Sequence, residues 1–226
     1  MSPGRSPWFI NVNTSAYGQA IAAAIFPDPV NGLYTTNGSA PLEEQHGLRQ
    51  LYKFGLYSHC GYVNGTEGVC SNTTAASRFT PYDVITSDML ANYTRISNAL
   101  VTQTTFTDTS YLGNFTNAAY YLLTIGTVCA FLAFIVGLVK HTVGFLGSTL
   151  LAIVGSFMLL IGATIWTVII KKAQSVNDIM VGQPGNMVSL GIEVSIGNGL
   201  YLAWAGFGTL IASIIPYMIS CCTYRG

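Results

Sequence analysis

The chain has 226 residues, half of them apolar and only 8% charged, and its nine basic and nine acidic side chains cancel to a net charge of zero. Soluble domains usually carry about 25% charged residues, so this balance is that of a membrane chain. With no basic stripe to neutralise phosphates, it excludes a nucleic-acid binder.

Taken in order, the first apolar cluster is Phe9, Ile10 and Val12, a short strand just before Asn13. Ala16–Phe26 is hydrophobic but interrupted by Tyr17, Gly18 and Gln19; it is too short to cross a bilayer and does not have the build of a signal peptide. Leu51–Ser58, rich in aromatic and apolar residues, predicts a second strand. Cys60 and Cys70 follow, with Asn64-Gly65 between them, a strong tight-turn signal. Folding back at that turn sets the two cysteines nearly opposite each other, and in an oxidising compartment they are expected to pair. Two free thiols or half of a metal site are the alternatives, and no further Cys or paired His lies nearby to complete a metal site. His46 and His59 have Glu43, Glu44 and Glu67 as neighbours in sequence, but no nucleophile elbow, zinc-ligand spacing or phosphate loop accompanies them. They are expected to be ordinary surface residues, and neither catalytic nor metal-binding groups nor a cofactor site are expected.

Asn-x-Ser/Thr triplets start at Asn13, Asn37, Asn64, Asn72, Asn92 and Asn114, all ahead of residue 118 and none after it. One such triplet means little, but this one-sided crowding predicts that residues 1–117 are extracellular and glycosylated. Asn114 is expected to lie too near the bilayer to be modified. Thr102–Asn117 is expected to be an extended, polar approach to the membrane.

Three uncharged runs follow: Ala118–Val139, Thr142–Ile170 and Gly199–Thr223. About 20 apolar residues in a helix span a hydrocarbon core of about 30 Å, so each predicts a transmembrane helix. Tyr120, Tyr121, Trp166, Tyr201 and Trp204 lie near run ends, where aromatic rings with a polar edge anchor at the headgroups. Small residues four apart (Ala152 and Ser156, Gly199 and Ala203, Gly208 and Ala212) suit close helix packing. No ionisable Asp, Glu, Lys, Arg or His lies inside a run, which argues against a pump, an ion-coupled transporter or an intramembrane enzyme.

The resulting organisation is an extracellular, disulfide-stapled β domain at 1–117, helices at 118–139, 145–170 and 199–222, a cytosolic turn at 140–144 and a tail at 223–226. A second extracellular loop, 171–198, contributes a strand through the alternation Ile192, Val194, Ile196. Lys140 and Arg225 then fall inside, but Lys171 and Lys172 fall outside, against the positive-inside rule. Cys129 is expected as a free thiol within the first helix. Cys221 and Cys222, at the inner end of the last helix, are candidates for S-acylation, with inert thiols the alternative.

The segment Gly55-Leu56-Tyr57-Ser58-His59-Cys60, nine residues and then Cys70 resembles the first-loop signature of claudin-like proteins, Gly-Leu-Trp, two residues, Cys, eight to ten residues, Cys, with Tyr57 in the tryptophan's place. Gly197-Asn198-Gly199-Leu200-Tyr201-Leu202-Ala203-Trp204, together with Phe9–Ser15, is similar to the fungal cortical-patch Sur-seven/PalI family. The resemblance runs from about Phe9 to Tyr217. It implies a membrane α-helical bundle with a small extracellular antiparallel β-sheet. The family has four helices where this sequence shows three, so an upstream helix, which would also start translocation of the outer domain, is expected to be missing here. The implied role is non-enzymatic: organising cortical plasma-membrane domains, linked to cell-wall organisation, endocytosis and cortical actin. The implied partners are membrane lipids, other membrane proteins or a second copy laterally, and the cell wall. An accessory component of ambient-pH sensing, as in PalI, is the first alternative, and a channel or transporter subunit the second.

Overall fold

The computed structural model describes residues 7–65, 67–101, 104–138, 142–182 and 187–223. The turn around Lys140, the tail beyond Thr223 and the side chains of Cys221 and Cys222 lie outside this description. The chain divides into two compact units: Met1–Thr116 with Val168–Gly199, and Asn117–Thr167 with Leu200–Gly226.

The first unit is built on an antiparallel sheet of five strands in the order β4-β3-β2-β1-β7. These are β1 Ile10–Asn13, β2 Leu51–Phe54, β3 His59–Val63, β4 Glu67–Cys70 and β7 Glu193–Ile196. A separate two-stranded hairpin, β5 Met180–Val181 with β6 Val188–Ser189, lies just before β7 in sequence. Strand β1, one in from the edge, pairs Ile10 with Phe54 on one side and with Ile196 on the other. Period-two patterning then sorts the side chains. Ile10, Val12, Tyr52, Phe54 and Val194 form the buried face. Asn11, Asn13, Leu51, Lys53 and Glu193 share the other, where Trp8, Tyr62 and Cys60 make a small cluster with Lys53 seated between the two rings. The outer edge of β7 is closed by side chains rather than by a strand. Asn177 accepts from the Val194 N–H at 2.7 Å and donates to the Val194 carbonyl at 3.1 Å, one of the ways proteins blunt an edge.

The expected strand over Leu51–Ser58 stops at Phe54, because Gly55 donates to the Ser58 carbonyl and turns the chain into β3. Ala16–Phe26 contains a short helix, α1 Tyr17–Ile25, that buries Tyr17, Ala20 and Ile21 along one side. Two further helices, α2 Pro81–Asp88 and α3 Ala91–Leu100, pack against each other in the same unit, and α3 also meets α1. Pro81 fits the first turn of α2, where no N–H is needed. Tyr93 on α3 holds the chain at Asn31 twice, accepting from its N–H and donating to its carbonyl.

Of the extended approach expected over Thr102–Asn117, residues 102 and 103 lie outside the described residues, and 104–117 are not extended. A 3-10 turn at Thr105–Thr107 leads into α4, which runs Thr109–Gly137. Asp108 starts that helix by accepting from the Tyr111 N–H at 2.9 Å, an N-cap. Absence of charge marks only the apolar part of a helix, and this one begins with polar turns.

The second unit holds most of three long apolar helices, α4, α5 Thr142–Ala173 and α6 Asn198–Thr223, each long and apolar enough to cross a membrane. Helices α4 and α5 approach through glycines. A Cβ on Gly126 would lie 2.8 Å from Leu159, and one on Gly162 2.9 Å from Leu123. The small-residue pairs expected at interfaces fare differently. Ala152 and Ser156 are buried, whereas Gly208 and Ala212 are exposed on α6. The Gly199 end of the third pair packs on the first unit's own chain, not on a helix.

Candidate functional site

The features singled out in the sequence gather in the sheet-bearing unit. In the β3–β4 hairpin, Asn64 and Gly65 both take left-handed backbone angles, φ 53° and 74°, which asparagine and glycine tolerate best. The register places Cys60 opposite Cys70, and the two form a disulfide, with Cα atoms 3.9 Å apart. The rest of the signature is the turn between β2 and β3. Gly55 closes it, and the carbonyls of Leu56 and Tyr57 accept from the N–H groups of Ser77 and Thr74, so the turn anchors the segment that follows the hairpin. The Tyr57 ring is half exposed. Serine at Cys60 or Cys70 is expected to cost about 2–3 kcal/mol, the chain-entropy value for so short a loop. Thermal denaturation of each variant, beside wild type with and without reductant, reads this directly; a melt insensitive to both changes contradicts it.

Beneath the sheet lies an ion pair that sequence patterning does not indicate. Arg49 and Asp88 are both fully buried, with Nη1 donating to Oδ2 at 2.8 Å. The same carboxylate accepts from the Tyr52 hydroxyl at 2.7 Å and from the Glu43 N–H at 2.6 Å. Arg49 Nη2 donates to the Ala40 and Pro41 carbonyls, and Thr14 Oγ1 donates to the Arg49 carbonyl. One charged pair thus ties β1, the 40–50 loop and the end of α2 together. Burial, reinforced by the Asp88 charge, holds the Tyr52 phenol well above the ordinary tyrosine range. The signal available in the sequence is faint: an arginine set among Leu48, Leu51 and Tyr52 in a chain with few charges.

Glu43 also reaches His59, Oε1 to Nε2 at 3.0 Å, and the imidazole stacks on Phe54. Burial pushes this histidine below its usual range, and Glu43 and Asp88 pull it partly back. His46 pairs separately with Glu44 at 3.5 Å, in the open. His59 is therefore part of the core, not the surface residue expected. Among the described residues no group of three or more His, Cys, Asp or Glu side chains is placed to hold a metal ion.

The second signature, Gly197-Asn198-Gly199, is a close crossing of two backbones. Gly197 donates to the Phe9 carbonyl at 2.8 Å and Gly199 to the Trp8 carbonyl at 2.6 Å. A Cβ on Gly197 would overlap the Trp8 carbonyl, and one on Gly199 would lie 2.6 Å from the Phe9 ring. Asn198 opens α6, and Tyr201 one turn on is exposed. In the helical unit, Trp204 donates its indole N–H to Thr167 at 3.2 Å.

Asn13, Asn37, Asn64, Asn72 and Asn92 all present exposed side chains. Asn13 and Asn37 fold into Asx turns, each accepting from the N–H two residues on at 3.0 Å. Asn114 is also exposed but sits inside α4, and the hydroxyl of its triplet partner Thr116 is buried and bonded to the Phe79 N–H and the Leu112 carbonyl. Cys129 is a free, partly buried thiol on α4.

The chain matches the model of the SUR7/PalI family over residues 2–216. No curated protein matches it, and no solved structure does. With three long apolar helices and the antiparallel sheet, the family match makes the fold a claudin-like membrane helical bundle with a β-sheet domain.

Proposed function

The chain belongs to the SUR7/PalI family, and from that premise we propose that it is a non-enzymatic organiser of cortical membrane domains in the fungal plasma membrane. In this reading the sheet-bearing unit faces the cell wall, glycosylated at Asn13, Asn37, Asn64, Asn72 and Asn92. The helices work by lateral contact with lipids and with other membrane proteins or further copies, and the process connects to wall organisation, endocytosis and cortical actin.

The observation that supports it best is the state of α6. Only 11% of its membrane-crossing window is buried, against 44% for α5. Its outward face carries Gly208, where a Cβ would meet nothing within 4 Å, and the exposed Ala212 one turn on. Small residues four apart let a second helix approach closely in lipid, where packing rather than the hydrophobic effect drives association. S-acylation of Cys221 and Cys222 on the last turn of α6 would bias the same helix toward particular lipid surroundings.

A fluorescent fusion in the native cell tests the reading. The expected result is immobile cortical patches, dispersed by the double change Gly208→Ile, Ala212→Ile with the protein still at the surface. Uniform membrane signal, or an endosomal one that fits accessory work in pH sensing, overturns it.

A further inference from the structure

We propose that the polar cavity beside Lys172 seats the headgroup of a zwitterionic phospholipid. The cavity measures about 470 Å³ and is lined by Thr104, Thr105, Thr107, Asp108, Tyr111 and Lys172. This rests on the reading that α4 and α5 cross a membrane, because it places the cavity where the apolar stretch of α5 ends at Ile170 and the lysines begin.

The lining carries both halves of such a ligand's recognition. The Lys172 ammonium lies 4.7 Å from the centre of the Tyr111 ring. Among the described residues no carboxylate comes within 4.0 Å of it. Held by a ring face and lacking a counter-ion, it is available to a phosphodiester. Thr104, on the same wall, has a buried hydroxyl with no hydrogen-bond partner; turned into the cavity, it would donate to a phosphate oxygen. Asp108 supplies the opposite charge. Its Oδ1 is taken by the Tyr111 N–H and the Ser110 hydroxyl, both at 2.9 Å. The carboxylate nevertheless keeps its full charge for an ammonium group and repels a ligand that is only anionic.

The gradient along α4 favours a lipid over free phosphate. Tyr111 leans on Phe115, ring centres 4.6 Å apart, and Phe115 is 45% exposed. Beyond Phe115 and two further polar residues comes the uncharged run. A ligand whose head sits among threonines and whose body continues along aromatic and apolar surface matches that order. The site also gives Lys172, which runs against the positive-inside pattern, a role on the outer side: neutralising a headgroup rather than setting orientation.

The test is native mass spectrometry of the full chain released from nanodiscs, with phosphatidylethanolamine, phosphatidylglycerol, inorganic phosphate and glycerophosphoethanolamine as separate probes. Wild type is expected to retain phosphatidylethanolamine over phosphatidylglycerol and to ignore both soluble probes. Lys172→Gln should weaken retention about tenfold, the worth of one hydrogen bond to a charged group, while Lys172→Arg should keep it. Asp108→Asn preserves the helix cap and should reverse the preference toward phosphatidylglycerol. Equal retention by wild type and Lys172→Gln overturns the proposal, as does a wild-type preference for the anionic lipid or competition by inorganic phosphate alone. A chain that fails to enter nanodiscs overturns the membrane-crossing reading beneath it instead.

Discussion

Replacing Arg49 by alanine is expected to lower stability by about 3–5 kcal/mol, the cost of breaking a buried ion pair from one side. Asp88 would keep the Tyr52 hydroxyl and the Glu43 N–H as donors but lose the guanidinium paired with it, and its charge would remain fully buried. Two carbonyls, Ala40 and Pro41, would lose their donor at the same time. Asp88→Asn should be nearly as damaging, because it strands the guanidinium instead. The double change Arg49→Met, Asp88→Leu removes both charges and restores apolar volume, so it should recover most of the loss, though not the tie to the Glu43 backbone. In thermal denaturation of the purified full chain, the single changes should lower the midpoint by about 10 °C or more. If Arg49→Ala melts within about 2 °C of wild type, the pair does not hold the unit together.

The second large effect is expected at the glycine crossing. Alanine at Gly197 would push a methyl into the Trp8 carbonyl, and backbone cannot step aside as a side-chain end can. The pair of N–H donations to Phe9 and Trp8 would open, and β7 would separate from β1 at its last residue. Overpacking of about 1–3 kcal/mol plus about 1 kcal/mol per hydrogen bond lost puts the total at roughly 2–4 kcal/mol. Gly199→Ala should cost less, because its nearest obstacle is the Phe9 ring, which can turn. Gly206→Ala on the same helix, with nothing within 4 Å of the new methyl, should stay within about 0.5 kcal/mol. The order Gly197, Gly199, Gly206 is the claim; equal melting points for Gly197→Ala and Gly206→Ala would refute it.

The sequence is most legible where one local rule decides the structure. The long uncharged runs are helices because hydrocarbon permits little else. The Asn64-Gly65 turn and the alternation at Ile192–Ile196 became a hairpin and a strand because their signals span only a few residues. Legibility fails where polar residues do structural work. The start of α4 at Thr109 was hidden because Asp108 caps it through a side chain, and no charge pattern announces that. Helices α1, α2 and α3 are too short for a clear amphipathic period. The Arg49–Asp88 pair joins two positions 39 residues apart that no pattern links. The glycines of the α4–α5 contact were missed for a similar reason. Spacing pointed to Gly199 and Gly208, but the α4–α5 contact uses Gly126 and Gly162, and only the structure shows which face of a helix meets its neighbour.

The pairing of β1 also has a consequence in time. Its partner β2 leaves the ribosome early, but β7 lies roughly 180 residues further along, after two of the long helices. Until β7 arrives, the free edge of β1 waits unpaired, and with it Asn13, which ends opposite Glu193. The sheet therefore closes only once α4 and α5 have been made, so completion of the unit reports that both helices crossed and brought the chain back to the side of β1. A chain in which only one of the two helices crossed would leave β7 on the opposite side of the membrane from β1. It would display an open strand edge of the kind that quality control removes.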